Sequence, residues 1–133
     1  MAVVGMKRDD FAFFQGLTQT GTTGDAYVSV ADINNAKEFE AMGLVVENVG
    51  GTNDLDFKIT TKVTEEAPEV TWINPVGTPQ VDITLQESTN SGHLHITEAV
   101  AQVKVYVKST VAATPTPYAI HIGGRRYELR AKR

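Results

Sequence analysis

The sequence contains no cysteine among its 133 residues. That absence excludes a disulfide scaffold, a thiolate metal site and a cysteine nucleophile together, and it leaves the redox compartment open. Tryptophan occurs once and histidine three times, so few positions suit a sugar-stacking platform or an imidazole ligand set. No apolar run approaches the length of a membrane-spanning helix. In the opening stretch MAVVGMKRDDFAFF, Lys7, Arg8, Asp9 and Asp10 interrupt any signal-like segment. The expectation is a soluble chain made in the cytosol, with no membrane partner. A glycine-rich phosphate loop ending in Lys-Ser/Thr and a Gly-x-Ser-x-Gly elbow are both missing. The acids are numerous, but they alternate onto wet strand faces, where solubility explains them better than glycoside chemistry.

What is present suits one ordinary globular domain: 41% apolar and 21% charged residues. The net charge of −4 is unevenly spread. The last nine residues, RRYELRAKR, hold five cations against Glu128, a local +4, which leaves −8 for the first 124. Residues 47–69 carry a local −4. The basic end is either a solvated tail or a docking end for an acidic partner surface. Nucleic acid is not expected, because basic and aromatic residues are not interleaved on one face.

The hydrophobic pattern is that of an antiparallel β protein. Residues 1–24 read as an arm. It contains the aromatic cluster Phe11, Phe13 and Phe14, then GLTQTGTTGD (16–25), whose composition indicates loop. The cluster either tucks onto the chain's own core or anchors in a neighbour. From residue 26 short runs alternate. AYVSV (26–30) and LVVENV (44–49) read as strands, and DINNAKEFEAMG (32–43) as either a short helix or an extended segment. DLDFKITTKV (54–63) puts Leu55, Phe57, Ile59 and Val63 on one face. EVTWI (69–73), VDITLQ (81–86, with Val81, Ile83 and Leu85 inward), HLHIT (93–97) and QVKVYVK (102–108) follow, with TNSG (89–92) as a turn. The prolines of STVAATPTP break any ladder there. YAIHI (118–122) and RYELRA (126–131) read as a hairpin about Gly123-Gly124. The predicted fold is all-β: a jelly-roll-like antiparallel β-sandwich over residues 25–133 with an extended N-terminal arm over 1–24, an immunoglobulin-like sandwich or a barrel being the alternatives.

GHLHITE (92–98) raises the question of metal. His93, His95, Glu98 and the later His121 resemble the first metal motif of the cupins, which line a jelly-roll interior. Strand phase opposes that reading. If His93 and His95 faced inward, Leu94 and Ile96 would face water, which is disfavoured by roughly 3–6 kcal/mol in transfer terms. His121 likewise alternates with Ile120 and Ile122. Glu98 also stands one position too close to His95 for the cupin spacing. All three histidines are therefore expected on wet faces, with no metal, no other cofactor and no catalytic residues. Trp72 is expected in the core.

The runs GLVVENVGGTNDLDFKITTKV (43–63) and VKVYVKSTVAATPTPYAIHIGG (103–124) resemble the small β-sandwich structural proteins of tailed-phage virions, in particular capsid decoration or cement proteins. The resemblance implies a non-enzymatic protein on the capsid exterior, assembled in the host cytoplasm. It implies bridging of capsid subunits, with the major capsid protein and copies of itself, as homodimer or homotrimer, for partners. The candidate partner-binding residues are Phe11, Phe13 and Phe14 in the arm and Arg125, Arg126 and Arg130 in the tail. Rival readings are another phage head or tail component, a carbohydrate-binding or adhesion module using Trp72, and a cupin-like metal enzyme.

Overall fold

A computed structural model of the chain describes residues 14–24, 26–110 and 115–126. Ten strands form: β1 (Phe14–Thr23), β2 (Val28–Ile33), β3 (Phe39–Asn48), β4 (Leu55–Lys62), β5 (Val70–Thr71), β6 (Ile83–Leu85), β7 (Thr89–Asn90), β8 (Leu94–Ile96), β9 (Gln102–Ser109) and β10 (Thr116–Arg126). The only helical turn among the described residues is a 3₁₀ turn at Ala36–Glu38. Residues 32–43 are therefore strand, one tight turn and strand again.

The pairing is nested. β1 pairs with β10, β2 with β9, β3 with β7 and β8, and β4 with β5 and β6, all antiparallel. Cross-pairs β10–β3 and β9–β4 then complete two sheets. We call β1-β10-β3 with β7 and β8 sheet A, and β2-β9-β4 with β5 and β6 sheet B. This is a long antiparallel ribbon rolled up on itself, the jelly-roll arrangement of a two-sheet sandwich. The predicted fold class holds.

The core lies between the sheets and follows from period-2 alternation. Val103, Val105 and Val107 of β9 are fully buried, as are Leu55 and Ile59 of β4 and Val46 and Ile120 of sheet A. Each such side chain contributes about 1.5–3 kcal/mol by leaving water. Two polar links cross between the sheets inside this core. Asn48 at the end of β3 donates from Nδ2 to the carbonyls of Leu85 and Asn53, at 3.1 and 2.8 Å, and accepts from the Gly50 N–H at 3.0 Å. Thr116 Oγ1 donates to Ser109 Oγ at 2.9 Å.

Five expectations need correction. The turn expected over 89–92 begins as strand, because Thr89 and Asn90 pair with Asn48 and Glu47 of β3. The loop expected over 16–25 is strand through Thr23, paired with β10 along ten consecutive positions. Removing residues 1–24 would therefore strip an edge strand from the sandwich rather than a free arm. The hairpin expected at Gly123-Gly124 is absent, since β10 runs straight through both glycines. Gly123 pairs with Gly16 on one side and Gly43 on the other, and the Phe39 ring lies where a Gly124 Cβ would stand, 2.7 Å from Cδ1. The pair thus serves close packing rather than a turn. Pro117 does not end the ladder but lies within β10, opposite Thr22. Finally, Val63 and Val81 are exposed, because β4 stops at Lys62 and β6 starts only at Ile83.

Candidate interaction surface

The two outer faces of the sandwich differ in chemistry. On sheet B, alternation sends Asp56, Lys58, Thr60 and Lys62 of β4 outward beside Lys104, Tyr106 and Lys108 of β9. Most of these groups contact one another. Lys58 Nζ sits between two rings, 5.0 Å from the Tyr27 centroid and 4.6 Å from that of Tyr106, and Lys108 Nζ lies 4.8 Å from Tyr27. Tyr27 donates to Asp82 at 2.6 Å, and Thr84 to Asp56 at 2.6 Å. Thr60 and Tyr106 both donate to Glu69 Oε2. Lys104 stands 3.9 Å from Asp32. Burial, then the bond to Asp82, pushes the Tyr27 phenol up. Burial, then the bond to Glu69, pushes Tyr106 up to about 12. Hydrogen bonds from Thr60 and Tyr106 hold the Glu69 carboxyl below the usual range. The outward lysines of β4 and β9 were legible from alternation. The part played by Tyr27, Glu69 and Asp82 was not, because it depends on chain segments distant in sequence.

Sheet A presents a nearly neutral face. Its outward positions are Ala41, Gly43, Val45 and Glu47 on β3, facing Arg125, Gly123, His121 and Ala119 on β10. Gly16, Gly123 and Gly43 fall in one row across three strands, so a short stretch of bare backbone lies there, ended by His95 on β8. The formal charges here are Glu47, which lies 3.2 Å from His121 Nε2, and Arg125, which lies 3.3 Å from Glu40.

The structure places the predicted site residues unequally. Phe14 is the first residue of β1 and is paired with Arg125, which is exposed. Arg126 is paired with Phe39 after a register shift. Phe11, Phe13 and Arg130 lie outside the described residues. Phe14, Arg125 and Arg126 thus fall at one corner of sheet A, a juxtaposition that sequence alone did not reveal because it needs the pairing of the first strand with the last.

The phase expected for the histidines is observed. His93 and His95 are exposed while Ile96 is buried, and their rings stack with centroids 6.1 Å apart at 11°. They and His121 stand on the outside of sheet A, whereas a cupin site lines the interior. Among the described residues no three His, Asp or Glu side chains group closely enough to hold a metal ion. Trp72 is 4% exposed, and its Nε1 donates to Glu98 at 3.3 Å. Its ring is therefore core and offers no sugar platform. A cleft of about 270 Å³ lined by Asn34, Lys62, Glu65, Ala101 and Gln102 is smaller than most small-molecule sites.

These features define a jelly-roll β-sandwich with one polar face whose groups largely contact one another and one nearly neutral face. No protein-family model matches the chain, and no curated protein matches it in sequence. Among solved structures it is similar to the Yersinia pseudotuberculosis-derived mitogen, with 9% identity, 89% of this chain and 92% of that chain covered, and a TM-score of 0.52. It is also similar to a protein of Bacillus endospore appendages (12% identity, 86% and 88% covered, TM-score 0.49). A third is the SPBc2 prophage-derived protein YomS (10% identity, 81% and 95% covered, TM-score 0.40). The likeness to the mitogen is one of fold.

Proposed function

We propose that this chain is a non-enzymatic virion structural protein of the tailed-phage type. It binds the capsid exterior and bridges capsid subunits, with the major capsid protein and copies of itself as partners. The observation that carries the reading is the contrast between the faces, with Phe14 and Arg125 joined at one corner of sheet A. A face on which most polar groups already contact one another gains little by docking, because those groups would be desolvated for no new bond. On sheet A the row of Gly16, Gly123 and Gly43 accepts close backbone approach, with Glu47, His121 and Arg125 as its polar neighbours. The resemblance of residues 43–63 and 103–124 to capsid decoration proteins supplies the partner class.

The test is quantitative mass spectrometry of particles banded on a density gradient from the source culture, with antibody labelling of the intact particles. Co-banding at a fixed ratio to the major capsid protein, together with labelling, supports the proposal. Absence from the particles overturns it.

A further inference from the structure

We propose that β1 is an inter-chain pairing edge and that its occupant is β1 of a second copy, antiparallel about a two-fold axis perpendicular to the sheet. β1 ends the strand order of sheet A, and among the described residues it is paired only with β10. In an antiparallel strand, alternate residues turn their N–H and C=O groups away from the existing neighbour. An outer edge therefore offers a row of unpaired donors and acceptors. Soluble proteins usually block such a row with charges, proline, a bulge or shortness.

The other edges of this sandwich carry those devices. β2, the edge of sheet B, has six residues, a register shift between Ser29 and Ala31, and the charge of Asp32. The opposite edges are formed by β5, β6, β7 and β8, which are two or three residues long. β1 carries none of them. FQGLTQTGTT is ten residues long, without a charge or a proline, and its register with β10 is unbroken. That exceeds the usual strand length of about five or six residues.

The same composition selects the occupant. Antiparallel pairing of a strand with itself sets like against like, and like charges opposite one another are the ordinary obstacle. β1 has no charge to oppose. With the two-fold perpendicular to the sheet, outer positions meet outer positions. Register with Ala119 and His121 puts Thr18 and Thr20 in that outer set. Threonine–threonine cross-strand pairs are favourable. The result is one continuous sheet through both copies, with the two neutral faces side by side. This inference deepens the self-association in the proposed function, and it rests on that reading only in taking the partner to be a second copy.

Sedimentation equilibrium on the full chain tests it, with circular dichroism and thermal melting as checks on folding. The wild type is expected to show a concentration-dependent dimer. Thr18→Lys/Thr20→Lys is expected to be a monomer with an unchanged spectrum and cooperative melting. Mixing it with Thr18→Glu/Thr20→Glu should restore the dimer mass, because opposite charges then face each other across the edge. A wild type that stays monomeric up to its solubility limit overturns the proposal. So does a lysine variant that keeps the dimer mass. Either result leaves particle binding to be judged by its own measurement.

Discussion

Phe14 and Arg125 are direct cross-strand partners in β1 and β10, so the first described residue and an exposed arginine of the last described strand meet at one corner of sheet A. Arg125 is not a bare cation there, because its guanidinium lies 3.3 Å from Glu40 with side-chain exposures of 61% and 39%. An exposed pair of this kind contributes about 0–1 kcal/mol. Arg125→Glu is therefore expected to lower the melting temperature by no more than about 4 °C. The same change should weaken particle binding strongly at low salt and less at high salt, since screening already removes much of the attraction. Binding isotherms at two ionic strengths check this. An equal loss at both would assign the effect to shape rather than charge.

The contact between Gly124 and Phe39 predicts a context-dependent glycine. A Cβ at 124 would stand 2.7 and 2.9 Å from Cδ1 and Cε1 of the Phe39 ring. A ring cannot yield as a flexible chain end does, so Gly124→Ala should cost about 1–3 kcal/mol in urea denaturation. Phe39→Leu in the same chain should return part of that loss, giving a non-zero coupling in a double-mutant cycle. Gly51→Ala, with nothing within 4 Å of the added carbon, serves as the control.

Those two glycine effects mark where sequence reasoning worked and where it stopped. The Val103, Val105, Val107 stripe and the Leu55, Phe57, Ile59 stripe were legible, because a half-buried strand writes its period directly into the sequence. The wet phase of His93, His95 and His121 was legible for the same reason. β1 was not. Its Gly/Thr composition matches loop, and only pairing with β10 makes it strand. Gly123-Gly124 has the composition of a turn, whereas here the missing side chain of Gly124 makes room for Phe39. The meeting of Phe14 with Arg125 depends on a pairing that spans nearly the whole chain, which no local pattern encodes.

Glu69 predicts an acid-dependent contribution. Hydrogen bonds from Thr60 and Tyr106 lower its carboxyl from the ordinary value of 4.5. The unfolded chain therefore takes up this proton before the folded chain does. The stabilisation is complete above 4.5 and is lost as pH falls through the lowered folded value. Glu69→Gln should melt below the wild type at neutral pH, and the gap should narrow on acidification. Melting curves from pH 7 down to pH 3 check this, and a gap independent of pH would remove Glu69 from the account.

Asn48 predicts the largest single loss. It is fully buried at the end of β3 and holds the carbonyl of Leu85 in the opposite sheet. Asn48→Asp keeps the acceptor for the Gly50 N–H but turns the Nδ2 donor into an oxygen facing the Leu85 and Asn53 carbonyls. A buried carboxylate against two carbonyls is unpaired, so the variant should lose about 3 kcal/mol or more at neutral pH. Protonation restores one donor, so its deficit should shrink as pH falls. Asn48→Leu leaves the same two carbonyls and the Gly50 N–H without partners but has nothing to titrate, so its deficit should stay constant. Urea denaturation of both variants at pH 7 and pH 4 separates the two effects. If Asn48→Asp were as stable as the wild type at pH 7, the cross-sheet bond would not be what holds the β3–β4 turn against sheet B.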